Sequence, residues 1–243
     1  MAGSVLRAVS FDAMNTLIKL REPVGVTYAS VAGKMGVTAD ADKLTSAFKD
    51  NFATMAKEFP CYGHDQVNWP GSRSLYWWTA LVKRSFVQSG VVCEETVLDD
   101  VARRLVHHYA TRKPWKLVDE QAPALLRRLR RKGLHIVVMS NFDKRLRDIL
   151  SDFDVLSLVD AVVLSGDLGF EKPDSRIFEV VMRELKLSDP TELVHIGDSY
   201  EKDYSAARKM GMRALLLDPD GVCEHEDVPP EDRVKRLGDL RLY

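Results

Sequence analysis

The sequence predicts an α/β protein built on a parallel sheet, with a helical bundle inserted near its start. Three observations predict it. From Trp115 onward, short apolar runs alternate with amphipathic helical segments. Residues 21–113 carry helical periodicity with no strand-like run. One strand-like segment precedes that stretch. Apolar strands alternating with amphipathic helices specify a parallel sheet covered on both faces. Four helices with short connections suggest a bundle of their own. The boundaries read as an α/β domain of residues 1–20 and 114–243, with a helical domain of residues 21–113 between its two parts.

Val5 to Phe11 reads as the first strand and ends at Asp12. Within the insertion, Leu44, Ala47, Phe48, Phe52 and Met55 recur at helical spacing. So do Leu75, Trp78, Leu81 and Val82, and then Val97, Val101, Leu105 and Tyr109. Gly36, Gly71 and Gly90 punctuate these helices as C-terminal caps or turn residues do. Beyond Trp115, a helix lined by Leu125, Leu126 and Leu129 stops at Gly133, and Leu134 to Met139 is a buried strand. A helix through Leu146, Ile149, Leu150 and Phe153 leads to a strand at Ala161 to Leu164. A helix through Ile177, Phe178, Val181 and Leu185 leads to a strand at Leu193 to Ile196. The last pair is a helix at Lys202 to Met210 and a strand at Arg213 to Leu217. The tail after Asp218 is rich in Pro, Asp and Glu and predicts no element.

The 35 Lys and Arg residues nearly balance the 36 Asp and Glu residues, leaving a formal net charge of -1. That balance gives no footprint for nucleic acid or an anionic membrane, and no apolar run is long enough to span a bilayer. The N-terminus lacks the form of a secretory signal. Cys61, Cys93 and Cys223 are odd in number and widely spaced. They predict reduced thiols in an intracellular, cytoplasmic protein.

In open parallel sheets, ligands bind beyond the carboxyl ends of the strands. Four such ends carry polar or ionisable groups: Asp12, Ser140, the loop reaching Lys172, and Asp198. Taken singly, Asp12 reads as a turn or cap residue, Ser140 and Asn141 as a helix start with Asp143 as cap, and Lys172 as a loop lysine. The Asp198 to Asp203 stretch reads as a helix start complementing its dipole. Taken together, at successive strand ends, they point to one site. Other polar clusters read as structural. The run Arg127, Arg128, Arg130, Arg131 and Lys132 sits at a helix C-terminus as a solvated face. His107 and His108 are adjacent and cannot face one metal from a helix. Cys223 and His225 lack further zinc ligands.

The segments Phe11-Asp12-Ala13-Met14-Asn15-Thr16-Leu17, Val137-Val138-Met139-Ser140-Asn141, Gly169-Phe170-Glu171-Lys172-Pro173 and Ile196-Gly197-Asp198-Ser199-Tyr200-Glu201-Lys202-Asp203 occur in this order. Together they resemble the motifs of the haloacid dehalogenase superfamily. The resemblance covers nearly the whole chain. It implies a Rossmann-like core domain with an inserted helical-bundle cap domain, and a Mg²⁺-dependent hydrolase acting on a small phosphorylated molecule. In that reading Asp12 attacks phosphorus and forms an acyl-phosphate. Ser140, Asn141 and Lys172 bind the phosphoryl group, with Ser140 and Lys172 also serving catalysis. Mg²⁺ sits on Asp12, Asp198 and the Met14 backbone carbonyl, and Asp203 orients a bound water or the Asp198 carboxylate. Specificity is expected in the cap, around the loop from Pro60 to Trp69.

The sequence departs from that pattern at one catalytic position. Phosphatases of the family carry a second aspartate two residues after the nucleophile, followed by glycine; here these positions are Met14 and Asn15. Asn tolerates the left-handed backbone that Gly would adopt there. Methionine cannot carry a proton, and losing a positioned general acid–base costs about 10²–10⁴ in rate. Three readings follow: a weak or specialised phosphatase, another reaction on the same nucleophile, or a non-catalytic scaffold that binds a phosphorylated ligand or partner. Under the second, a halide leaves without protonation, and a phosphonate hydrolase would recruit a cap lysine.

Overall fold

A computed structural model of the chain describes residues 5–242. Two compact units emerge. One comprises the described residues up to Lys19, Leu117–Phe142 and Leu150 onward; the other comprises Leu20–Lys116 and Asp143–Ile149.

The first unit is α/β, with a six-stranded sheet in the order β5-β4-β1-β6-β7-β8 and every pairing parallel. Its strands are β1 (Ala8–Phe11), β4 (His135–Ser140), β5 (Ala161–Leu164), β6 (Leu193–Gly197), β7 (Arg213–Leu217) and β8 (Arg233–Val234). Two short strands, β2 (Ile18–Leu20) and β3 (Trp115–Leu117), form a separate two-stranded sheet where the chain leaves the unit and returns to it. The sequence predicted neither of these, nor β8, because runs of two or three residues carry no period. The helices are α6 (Ala122–Arg131), α7 (Arg145–Asp152), the short α8 (Ser165–Leu168), α9 (Ser175–Glu184) and α10 (Ala206–Lys209). Only the last part of α7 belongs to this unit.

The first strand is shorter than its apolar run, but Arg7 extends its ladder, donating N–H to Glu192 and accepting from His135. Strand β1 is fully buried, as are Ile136–Met139 of β4. Sheet order places β1 between β4 and β6. From β4 and β5 the chain then crosses to β6, β7 and β8 on the other side. The carboxyl end of β1 is therefore the switch point where such sheets bind ligands.

The expected helix at Lys202 to Met210 differs in its first half. Tyr200–Ser205 forms a wide π-type turn that runs into α10. Such turns recur at functional sites. The basic run on α6 is a solvated face, with Arg127, Arg130, Arg131 and Lys132 exposed; the half-buried Arg128 donates to the Leu240 carbonyl at 3.0 Å. In the tail, Asp218 accepts N–H groups from Val222 and Cys223, a side-chain turn that returns the chain toward β8.

The second unit is helical. It contains α1 (Val24–Gly33), α2 (Ala41–Glu58), the short α3 (Pro60–Gly63), α4 (Arg73–Gln88) and α5 (Glu95–His108), and the first turns of α7. Asp40 caps α2 by accepting N–H from Asp42 and Lys43. Helices α1 and α2 approach closely at Gly25, where a Cβ would lie 1.9 Å from the Ala41 carbonyl oxygen. Tyr28, Leu44, Phe86 and Leu105 centre one apolar cluster, and Met55, Tyr62, Trp77 and Leu81 another. In the Pro60 to Trp69 loop, the aromatic residues pack within this unit: Trp69 lies 4.6 Å from Tyr76, and Tyr62 lies 5.3 Å from Trp77. Asp143 caps the following turn through the Arg145 N–H, grips the Arg145 guanidinium, and accepts the Trp78 indole N–H at 2.5 Å.

No helix among the described residues is long and apolar enough to cross a membrane.

Candidate active site

Three neighbouring strand ends meet beyond β1. Asp12 follows β1 directly, its N–H reaching back to Ile196 of β6. Ser140 is the last residue of β4, and Asp198 follows β6. Register makes this unavoidable, since Phe11 pairs with both Val138 and Ile196.

Lys172 joins them from the loop between α8 and α9. Its side chain is 1% exposed, and its ammonium lies 2.7 Å from Asp12 Oδ1 and 2.6 Å from Asp203 Oδ1. The Ser140 hydroxyl donates to the same Asp12 oxygen at 3.1 Å. Asn141 engages Lys172 with both ends of its side-chain amide: it donates to the Lys172 carbonyl and accepts the Lys172 N–H, each at 2.8 Å. Its side chain therefore sets the position of the lysine.

Asp203 stands on the π-type turn, 1% exposed. Its Oδ2 accepts the Ser199 N–H at 3.0 Å, while Oδ1 meets Lys172 and, at 3.0 Å, His195 Nε2. Gly197 makes this possible, because a Cβ there would lie 2.1 Å from Asp203 Cγ. Asn15 adopts a left-handed backbone with φ 56. Met14 is half-buried and bridges to Ile18.

Burial pushes Asp12 above the ordinary carboxylate range, against the pull of Lys172. Burial and then the Asp203 charge push Asp198 up as well, with Asn15 opposing. Burial alone would raise Asp203 too, but Lys172 and His195 outweigh it and hold that carboxyl well below the usual range. Burial alone would lower Lys172; its two carboxylate partners outweigh it and keep the ammonium charged.

Asp12, Asp198 and Asp203 each present a carboxylate oxygen, and these oxygens lie within 4.8 Å of one another. Three carboxylates face one ammonium, which leaves two negative charges, the complement of a divalent cation. Oxygen-only donors suit a hard ion, so the residues present fit a metal of that kind. Among the described residues, no cluster of this type includes Cys223 and His225.

Sequence reading missed Ser10, His195 and the space at Gly197. A signal for the first two was present: each is a polar residue inside an otherwise apolar strand, and buried polar groups require partners.

An aspartate at the central strand end, met by a serine and a second aspartate from neighbouring strand ends, a buried loop lysine and a third aspartate on the π-type turn, accords with the family comparison. The chain belongs to the haloacid dehalogenase-like hydrolase family, whose model matches residues 6–211. It is 37% identical over 238 residues to haloacid dehalogenase-like hydrolase domain-containing protein 3 of Bos taurus, covering 97% of this chain and 92% of that protein. Among solved structures, it is similar to the L-2-haloacid dehalogenase RSc1362, with TM-score 0.68, 17% identity and 97% of each chain covered. It is also similar to a phosphatase of the haloacid dehalogenase type from Thermococcus onnurineus. There the TM-score is 0.63 and the identity 20%, over 96% of this chain and 94% of that one. At these identities the structural likeness is one of fold. One neighbour is a dehalogenase and the other a phosphatase, so the reaction must be read from this chain's own site.

Proposed function

We propose that this chain is a Mg²⁺-dependent phosphatase that acts on a small phosphorylated substrate through an aspartyl-phosphate on Asp12, with Met14 in the general acid–base position. The observation that carries this reading is the buried Lys172 ammonium, held 2.7 Å from Asp12 and 2.6 Å from Asp203. A phosphoryl group brings negative charge that must be met at close range.

Lys172 and Ser140 both donate to Asp12 Oδ1. They orient the carboxylate and present an ammonium and a hydroxyl to phosphoryl oxygens. Attack by Asp12 forms the oxygen–phosphorus bond as the bond to the leaving alcohol breaks, with the electron pair departing on the alcohol oxygen. Water then attacks phosphorus, releasing inorganic phosphate and restoring the Asp12 carboxylate. Met14 can neither protonate the leaving oxygen nor take the proton from water, so both transfers fall to solvent or substrate. Asp12, Asp198 and the Met14 carbonyl would hold Mg²⁺, supported by Asp203. When bound, the ion supplies charge neutralisation for the phosphoryl oxygens.

Met14 itself favours a second reading, a scaffold of this family that binds a phosphorylated ligand or partner with little or no turnover. A panel of phosphate esters assayed with Mg²⁺ separates the two. Sustained hydrolysis of one ester supports the phosphatase; Mg²⁺-dependent binding without turnover supports the scaffold.

A further inference from the structure

Beneath the candidate site lies a buried polar chain that the catalytic reading does not use. Ser10 and His195 are register partners on adjacent strands β1 and β6. Both are completely buried, on a sheet face otherwise built from Ala8, Val137, Leu193 and Ala214. The Ser10 hydroxyl lies 2.8 Å from His195 Nδ1. His195 Nε2 lies 3.0 Å from Asp203 Oδ1, the same oxygen that meets the Lys172 ammonium at 2.6 Å. Phe178 packs edge-to-face on the imidazole, with ring centroids 5.5 Å apart.

Two polar residues in such a face cost stability unless each is satisfied. An ionised carboxylate can only accept, so Nε2 carries the hydrogen that it shares with Asp203. Nδ1 is then an acceptor, and the Ser10 hydroxyl donates to it. Asp203 thus selects the tautomer, and the Ser10 hydroxyl satisfies the remaining ring nitrogen and holds the ring in place, much as an outer partner fixes the ring of a metal-bound histidine.

We propose that His195 is a positioning residue for the candidate site: held by Ser10, it fixes the orientation of the Asp203 carboxylate and, through it, the ammonium of Lys172. Asp203 stands on a π-type turn with its carboxylate against Gly197, whose missing side chain leaves the carboxylate room. Ser199 N–H holds one oxygen and His195 the other. Without His195, Oδ1 keeps Lys172 as its partner, and Lys172 is also bound to Asp12. Rotation of Asp203 would carry the ammonium with it, altering the pairing that orients Asp12. The part of this inference that concerns Mg²⁺ rests on the reading in the preceding section; the hydrogen-bond chain does not.

Two measurements on the full chain test it. In the first, ¹⁵N NMR of the metal-free protein, with the His195 signal assigned by its loss in His195→Gln, should show the Nε2-protonated tautomer. An Nδ1-protonated ring would overturn the proposal, whatever the protein binds. In the second, Mg²⁺ binding is measured by calorimetry in wild type, His195→Leu and His195→Gln. Leu removes the donor at similar bulk, whereas the Gln amide can donate to Asp203. The expected result is about 10- to 100-fold weaker Mg²⁺ binding in His195→Leu, the range for lost outer partners, with most of it recovered in His195→Gln. Unchanged affinity in a folded His195→Leu, or equal losses in both variants, would overturn the proposal. If His195→Leu fails to fold, His195→Gln at near wild-type affinity and Ser10→Ala below it is the supporting pattern, and equal affinity in Ser10→Ala is the contrary one. If the wild type binds no Mg²⁺, the metal assignment fails by itself and the tautomer decides the role of His195.

Discussion

Lys172 holds its ammonium 2.7 Å from the carboxylate of Asp12, and the lysine side chain is 1% exposed. An ion pair this far from water is stable only while its geometry and hydrogen bonds are complete. Asn141 supplies part of that geometry by clamping the lysine backbone.

Substituting Lys172→Met should therefore leave Asp12 and Asp203 facing each other without their shared cation. Breaking a buried pair by removing one partner costs about 3–5 kcal/mol, to be read from urea unfolding of the metal-free protein. Mg²⁺ should stabilise this variant more than it stabilises the wild type. A loss under about 1 kcal/mol, the range of exposed pairs, would contradict the burial of this contact.

Gly197→Ala introduces a Cβ 2.1 Å from Asp203 Cγ. The aspartate must move, and with it the contacts to Lys172, His195 and Ser199. The expected outcome is a folded protein with Mg²⁺ affinity lowered by about 10- to 100-fold, as for a displaced outer partner. Calorimetry checks it; wild-type affinity would mean that Asp203 has no part in holding the metal.

Asp198 stands half-buried beside two other carboxylates, pushed up by burial and by the Asp203 charge. Mg²⁺ should raise the unfolding temperature of the wild type, since a ligand that binds only the folded state stabilises it. That rise should vanish in Asp198→Ala. A rise of equal size in the variant would place the ion elsewhere.

Much of this site was legible in the sequence because strand ends are legible. Asp12, Ser140 and Asp198 each follow a largely apolar run, and parallel register then forces them together. Lys172 was found by motif, but nothing local foretold that a lysine before proline would be almost wholly buried between two carboxylates. Ser10 and His195 were hidden in plain alternation, as polar residues that satisfy each other only when β1 and β6 pair. The strands β2, β3 and β8 are too short for any period to register. Asp143–Ile149 joins the helical unit through long-range contacts of Asp143 and Arg145 with Trp78, which no spacing encodes.

Met14→Asp restores a proton carrier to the turn after β1. With the nucleophile and its charge partners already in place, turnover of p-nitrophenyl phosphate should rise by up to about 10²-fold, the low end of general acid–base effects. The double variant Asp12→Asn, Met14→Asp should be inactive. A folded, Mg²⁺-binding Met14→Asp protein with no gain would favour the non-catalytic scaffold.

The central claim is that Asp12 is a phosphoryl acceptor, and one measurement addresses it directly. The wild-type chain is incubated with p-nitrophenyl phosphate and Mg²⁺, quenched in acid, and its peptides are mapped by mass spectrometry. A good leaving group needs little protonation in the first step, and Met14 cannot activate water in the second, so phosphate should accumulate on the peptide containing Asp12. Label on Asp12 that disappears in Asp12→Asn is the predicted result. Nitrophenol release with no label on Asp12, or Mg²⁺ and phosphate binding with neither label nor release, would contradict it.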